Sequence, residues 1–348
     1  MRILLAHDRI APGDGSSRWL ADVASLLVDE GHEVTVACTA FTRSVPDGVQ
    51  VQSLDRLRVP ADVLIAADPE LLLALADQAS RVVFAPLGML AELEAEEASR
   101  ERVRAAEREA LERCDVVLRF TTAAVEALEH HHDLALRGKS VVAPFVSREF
   151  EAIASGAESL PLVRPRPAEL LWVGRLLPTK DVAFLVRAVA KLSGDDWRLV
   201  VVGEGPCHGE LVEQVETLGL SERVDIRGSV DDLAEVYSRA SLFLTASRLE
   251  QFSLTLLEAQ SFAVPCLGLR PDWETSFNSC EEQVLPGKTG GLFETEDELA
   301  SLIASYLDDE ELRQEHGLAA WRRKRREFPL ERFLEGLREA VGTPSLDG

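Results

Sequence analysis

The chain is built from one short apolar run after another, each followed by a longer amphipathic stretch, and this rhythm starts twice. RILLAH (2–7), EVTVAC (33–38), residues 49–53, VLIAA (63–67), RVVFA (81–85), DVVLRF (115–120) and SVVAPF (140–145) are rich in aliphatic and β-branched residues. They are too short for helices and are expected as buried strands. Helical spacing fills the intervals, first over about 17–30; the longest stretch, 91–113, has mixed Glu and Arg faces and predicts a solvated helix. Strands alternating with helices pair in parallel, because each crossover helix carries the chain back to the same end of the sheet. The segment EAIASGAESLPLVRPRPA (151–168), rich in Pro, Gly and small residues, reads as a linker. After it the rhythm resumes with ELLWVG (169–174), RLVVVG (198–203), VDIRG (224–228), SLFLTA (241–246) and VPCLGL (264–269), and from 297 onward the pattern is helical. The expectation is two doubly wound α/β domains, 1–150 and 169–325, joined by 151–168. A helical tail, 326–348, packs back toward the first domain. Such a pair faces a cleft, and ligands of open α/β sheets bind beyond the carboxyl ends of the strands.

Two domains also suit the length, since 348 residues exceed what one core ordinarily supports. A formal charge of −23 argues against nucleic acid as a partner. Five scattered cysteines without a C-x-x-C pair read as buried thiols, neither a disulfide frame nor a zinc site. No apolar run reaches the length of a membrane span, and MRILLAHD is too short for a signal peptide, so the cytoplasm is the expected address. Only five of the 37 basic residues are lysines, and an acidic, Arg-rich chain fits either salt adaptation or a high-GC genome. The basic run WRRKRREF (321–328) reads as a solvated helix face, with peripheral membrane contact as the minority alternative.

The loops after the strands are where chemistry is sought. GRLLPTK places Arg175 and Lys180 in one strand-to-helix connection, where cations and free helix N–H groups suit phosphate, although a surface Arg and Lys beside a turn are common. GEGPCHG (203–209) has the displaced spacing G-x-G-x-x-x-G, and Asp225 lies within a strand, so a dinucleotide fingerprint is weakly supported. In SVDD, Asp231 or Asp232 caps the next helix, or the backbone near Val230 lines a base pocket. SRLEQFSLTLLEAQSFAVP (247–265) puts Glu250 in a loop, Ser253 as the N-cap of a helix beginning near Thr255, and Glu258 one turn inside it. An ionised carboxylate only accepts hydrogen bonds, so Glu250 and Glu258 suit sugar hydroxyls while Arg175 and Lys180 suit a diphosphate. Glutamates are also the ordinary covering of a solvated helix.

These motifs, in this order, resemble the retaining glycosyltransferases of the GT-B fold, family 4. The likeness rests on VGRLLPTK, GSVDD, the E-x7-E pair Glu250 and Glu258, LPGKTGGLF (285–293), and GDGSSRWLADVASLLVDEGHEVTV near the start. It implies two tandem Rossmann-like domains and a nucleotide-sugar donor, UDP- or GDP-linked, with no further cofactor. By the same resemblance Arg175 and Lys180 hold the donor diphosphate, Glu258 the ribose and Glu250 the transferred hexose. Arg175, Lys180 and Glu250 are thus the catalytic candidates. Val230 and Asp231 border the base, the backbone of Phe252, Ser253 and Leu254 meets phosphate and sugar, and Gly15 approaches from the other domain. The chain departs from the family pattern at Gln251 and Ser253, where glycines are usual, at Asp14, across 270–282, and at Leu87, where a histidine is usual. The expected function is a retaining, metal-independent transfer of a sugar from a nucleoside diphosphate to an acceptor that is a glycan, a lipid or a small molecule. A sugar-nucleotide epimerase or phosphorylase of the same fold is the alternative, as is a non-catalytic donor-binding partner of an active transferase.

Overall fold

A computed structural model describes residues 1–7, 9–10, 15–41, 46–54, 60–87, 97–148, 150–151, 164–230, 232–272 and 276–343. The chain divides into two compact units, one of Met1–Ser147 with Leu330–Gly348 and the other of Arg148–Pro329.

Among the described residues the main sheet of the first unit has seven strands: β1 (Arg2–Ala6), β2 (Glu33–Cys38), β3 (Gln50–Ser53), β4 (Ala61–Ala66), β5 (Ala79–Phe84), β6 (Val116–Arg119) and β7 (Ser140–Val142). They lie in the order β3-β2-β1-β4-β5-β6-β7 and every pairing is parallel. Its helices are α1 (Gly15–Asp29), α2 (Pro69–Leu75), α3 (Glu97–Arg113) and α4 (Thr122–His132). Leu4, Leu64, Phe84 and Val117 of the sheet pack with Leu72, Leu111 and Leu128 of the helices in one buried cluster. Asp68 caps α2, accepting from the Leu71 N–H at 2.9 Å with Pro69 in the first turn, and Thr121 caps α4 through the Ala124 N–H at 3.0 Å. The solvated reading of α3 needs correcting, because Glu107 is buried on its inner face with His132 Nε2 at 3.6 Å. The first part of the expected helix, 91–96, lies outside the described residues.

The second unit holds β8 (Ala168–Val173), β9 (Trp197–Val202), β10 (Val224–Arg227), β11 (Ala240–Thr245), β12 (Cys266–Leu269) and β13 (Gly290–Phe293). Their order is β10-β9-β8-β11-β12-β13, again parallel throughout. The helices are α5 (Val182–Val189), α6 (His208–Thr217), α7 (Leu233–Arg239), α8 (Leu254–Ser261), α9 (Cys280–Gln283), α10 (Glu296–Asp308) and α11 (Glu310–Glu327). In both sheets the chain moves outward from the first strand to one edge, then returns to the centre and builds toward the other. The reversal point lies between β1 and β4 in the first unit and between β8 and β11 in the second.

Expected and observed strands differ mostly by a residue or two at their ends, for local reasons. VPCLGL joins the sheet only at Cys266, because Pro265 has no N–H to give. SVVAPF leaves it at Val142, before Pro144. The expected linker 151–168 falls mainly on residues outside those described, and its last residue, Ala168, already opens β8. The motif GGLF (290–293), not assigned as a strand from the sequence, forms the edge strand β13.

The tail forms α12 (Leu330–Val341), part of the first unit, where it packs against β5, β6 and β7. Phe333, Gly336, Leu337, Ala340 and Val341 are buried at the three- and four-residue spacing of one helix face. A side chain at Gly336 would collide with Ala143 of β7's continuation, so glycine is what allows this close approach. The basic run is likewise not a uniformly solvated face. Lys324 is fully buried and ion-paired with Glu151, and the Arg323 guanidinium is buried against backbone carbonyls, while Arg325 and Arg326 remain outside. Among the described residues no helix is long and apolar enough to cross a membrane.

Candidate donor site of the second unit

The loops following β8 and β11, on either side of the reversal point, are where a doubly wound sheet opens a crevice at its carboxyl edge. After β8 the chain passes Gly174 and the exposed Arg175, then makes a short turn, Pro178–Lys180. Asp181 follows in the left-handed conformation, φ 43°, and caps α5 through the Phe184 N–H at 3.2 Å. After β11 the chain runs through Ser247 and Arg248 to a two-residue parallel pairing of Leu249–Glu250 with Phe277–Asn278. Ser253 then caps α8, its hydroxyl accepting from the Leu256 N–H at 3.4 Å.

The two loops are fastened together. Arg248 N–H donates to the Thr179 carbonyl at 2.8 Å, and its guanidinium Nε bonds Asp181 at 2.8 Å. The Lys180 ammonium forms an ion pair with the Glu250 carboxylate, each side chain about one-fifth exposed (22% and 21%). The structure therefore joins one expected phosphate ligand to the expected sugar ligand. Arg175 makes no ion pair among the described residues.

Glu258 lies one turn into α8, 3% exposed, and accepts a 2.7 Å hydrogen bond from the hydroxyl of the fully buried Tyr237 on α7. That bond fixes the carboxylate before any ligand arrives. Val230 is half-buried and lines a pocket shared with Arg227, Asp232, Glu235, Val236 and Arg239. Asp232 is the N-cap of α7, through the Glu235 N–H at 2.9 Å, and Asp231 lies outside the described residues.

Ser253 has a partner that the sequence did not disclose. The Gln283 side chain accepts from the Ser253 N–H at 2.9 Å and donates to the Ser253 carbonyl at 2.8 Å. Both backbone groups of Ser253 are thereby engaged within the protein. Nothing in EEQVLPGKTG marks Gln283, since its partner is 30 residues away. Tyr237, Asn278 and the Arg248–Asp181 pair were missed for the same reason. Asn278 ties this region down by donating to the Ser247 carbonyl at 3.1 Å and accepting from the Cys280 N–H at 3.0 Å.

Cys280 stands near the Lys180–Glu250 pair. Burial, followed by the Glu250 charge, pushes its thiol up to about 12, so it remains protonated at neutral pH and is no nucleophile.

The glycines of GEGPCHG have a structural explanation. A β-carbon on Gly203, φ 136°, would fall on the Gly174 carbonyl, and one on Gly205 would meet the Leu176 carbonyl. The Leu176 N–H donates to the Glu204 carbonyl at 2.8 Å, and the Leu176 carbonyl accepts from the Cys207 N–H at 3.1 Å. These glycines let the loop after β9 lie against the loop carrying Arg175. Asp225 is ion-paired with Arg227 inside β10, so the dinucleotide reading has no support here.

In the first unit Gly15 opens α1, Asp14 lies outside the described residues, and Leu87 sits half-buried beyond the end of β5. The neighbouring Pro86 carbonyl accepts from Arg119, a fully buried side chain at the end of β6 that the sequence reading did not single out.

Residues 161–322 match the family described as glycosyl transferases group 1. The chain is 32% identical over 168 residues to the N-acetyl-alpha-D-glucosaminyl L-malate synthase of Bacillus anthracis, covering 47% of this chain and 42% of that protein. It is 28% identical over 221 residues to the alpha-D-kanosaminyltransferase of Streptomyces kanamyceticus, covering 60% and 55%. The chain thus spans about half the length of the curated relatives it matches. Among solved structures, Anabaena HepE in complex with UDP superposes with a TM-score of 0.75 at 18% identity, over 98% of this chain and 100% of the other. Sucrose-phosphate synthase from Thermosynechococcus elongatus gives 0.77 at 18%, over 97% of each. Residues 161–322 are therefore similar to the glycosyl transferases group 1, in a chain whose two α/β units share the GT-B fold of these solved structures.

Proposed function

We propose that the protein is a retaining glycosyltransferase that moves a sugar from a UDP- or GDP-linked donor to an acceptor. The observation that carries this reading is the meeting of Lys180 and Glu250 at the reversal point of the second sheet, beside the N-terminus of α8 and the fixed carboxylate of Glu258. A sugar nucleotide presents phosphate oxygens next to hydroxyls, and this site presents cations and N–H groups next to carboxylates. Lys180 exchanges its carboxylate partner for a phosphate oxygen, with Arg175 as the second cation. Glu250, released, accepts from the sugar, and Glu258, held by Tyr237, accepts from the ribose. Val230 borders the base.

The chemistry asked of these groups is electrostatic. Negative charge grows on the leaving phosphate as the glycosidic bond breaks, and fixed cations stabilise that charge more in the transition state than in the ground state. The acceptor attacks from the same face, and the leaving phosphate takes its proton. Two cations neutralise the diphosphate without a metal ion in this scheme. The family match of the second unit and the fold shared with a protein solved with UDP support the reading.

A thermal-shift panel of UDP-, GDP-, ADP- and TDP-sugars tests it, followed in EDTA by donor hydrolysis with and without acceptors. A raised midpoint with a UDP- or GDP-sugar is expected, together with a released or transferred sugar that keeps its anomeric configuration. A protein stabilised by none of the panel overturns the proposal.

A further inference from the structure

We propose that Gln283 is a positioning residue for the donor loop, and that Arg323 of the basic run holds it in place. The inference rests on the donor-binding reading of that loop. Gln283 is fully buried, and its primary amide pairs with both peptide groups of Ser253, as one strand pairs with another. Only a side chain carrying both a donor and an acceptor on one planar group can make this contact. Ser253 sits between Glu250 and Glu258 and caps α8, so its peptide sets the direction in which the helix's first N–H groups point.

Gln283 is in turn braced from behind. Its own carbonyl accepts from Gln260 Nε2 at 2.8 Å and from the Arg323 guanidinium at 2.7 Å, and a second Arg323 nitrogen donates to the Glu282 carbonyl at 2.6 Å. The guanidinium lies over the Phe328 ring, 5.2 Å from its centre, and Phe328 faces Phe252 at 6.2 Å between ring centroids. Residues 252 and 253 are thus each held by the end of α11.

UDP and GDP titrations by calorimetry, alongside thermal midpoints, test the assignment in Gln283→Met, Gln283→Glu and the control Tyr306→Phe. Tyr306 makes a buried 2.7 Å hydrogen bond with His316 in the same unit and, among the described residues, no hydrogen bond to Ser253 or Gln283, so it serves as the stability control. Gln283→Met is expected to weaken nucleotide binding about tenfold, whereas Tyr306→Phe lowers the midpoint and leaves affinity at the wild-type value. In Gln283→Glu a protonated carboxyl regains the donor, so affinity recovers as pH falls through the titration of that buried group. Wild-type affinity in Gln283→Met, or a pH-independent loss in Gln283→Glu, overturns the positioning role while leaving donor binding intact. A wild-type protein that binds neither nucleotide overturns the donor reading, and this inference with it.

Discussion

The Lys180–Glu250 ion pair changes what is expected of each partner. Lys180→Ala should weaken UDP or GDP binding at least about tenfold, from the loss of a charge-assisted bond to phosphate. Glu250→Gln should act in the opposite sense on free nucleotide, tightening it a few-fold (on the order of 0.5–1 kcal/mol), because Lys180 no longer has to leave a carboxylate. The same variant should lose most turnover of the sugar donor. Calorimetry with nucleotide and kinetics with donor separate these effects, and equal weakening of free nucleotide by both variants would remove Glu250 from the sugar side. Tyr237→Phe strips a donor from the buried Glu258 carboxylate and should cost about 1–3 kcal/mol of stability in denaturant unfolding. The identity of these charged residues was legible in the sequence, because Lys is rare in this chain and E-x7-E is an ordered pattern. Their partners were not: Tyr237 and Gln283 stand 21 and 30 residues from the groups they bind, and no local periodicity encodes that distance.

At the scale of elements, the candidate donor site depends on loops that touch one another. The loop after β9 rests on the loop after β8 through glycine backbone, so Gly203→Ala should destabilise the second unit by about 2 kcal/mol or more. It should also displace Arg175, weakening nucleotide binding even where the protein remains folded. A thermal midpoint equal to wild type would show that the two loops separate easily. Strand and helix positions followed closely from apolar runs and, at Asp232 and Ser253, from N-cap residues, since each cap acts on the amide three residues away. Buried charge was read wrongly for the opposite reason. Glu107 and Lys324 lie on helices whose composition is that of a solvent face, and only packing shows which charge turns inward.

Across the whole chain, acid should loosen the first unit through α12. Arg338 bonds both oxygens of Glu30 at 2.8 and 2.9 Å, and this guanidinium holds the Glu30 carboxyl below its ordinary value of 4.5. Backbone N–H groups, that of Leu136 first, lower Glu129 in the same sense. A carboxyl depressed in the folded state adds stability that is present above the unfolded value and is lost as pH falls through the folded one. Hydrogen exchange of α12 should therefore quicken as pH drops below about 4.5, after correction for intrinsic rates. Glu30→Gln should make α12 exchange faster at neutral pH and reduce the change on acidification. Unchanged α12 exchange in that variant would show that its docking does not depend on the Glu30–Arg338 pair.

By itself the sequence determined a parallel α/β chain in two units and the loops that carry its charged motifs. Short apolar runs, helical spacing and capping residues act over a few residues, and they need no knowledge of the rest of the fold. Tertiary structure decided the strand order that puts the loops after β8 and β11 side by side, and with it the Lys180–Glu250 pair. It also decided that the last helix completes the first unit and that Arg323 braces the loop of the second. These contacts join residues tens to hundreds of positions apart, and their energy depends on burial and on the angle between donor and acceptor. Neither quantity exists until the sheets are assembled.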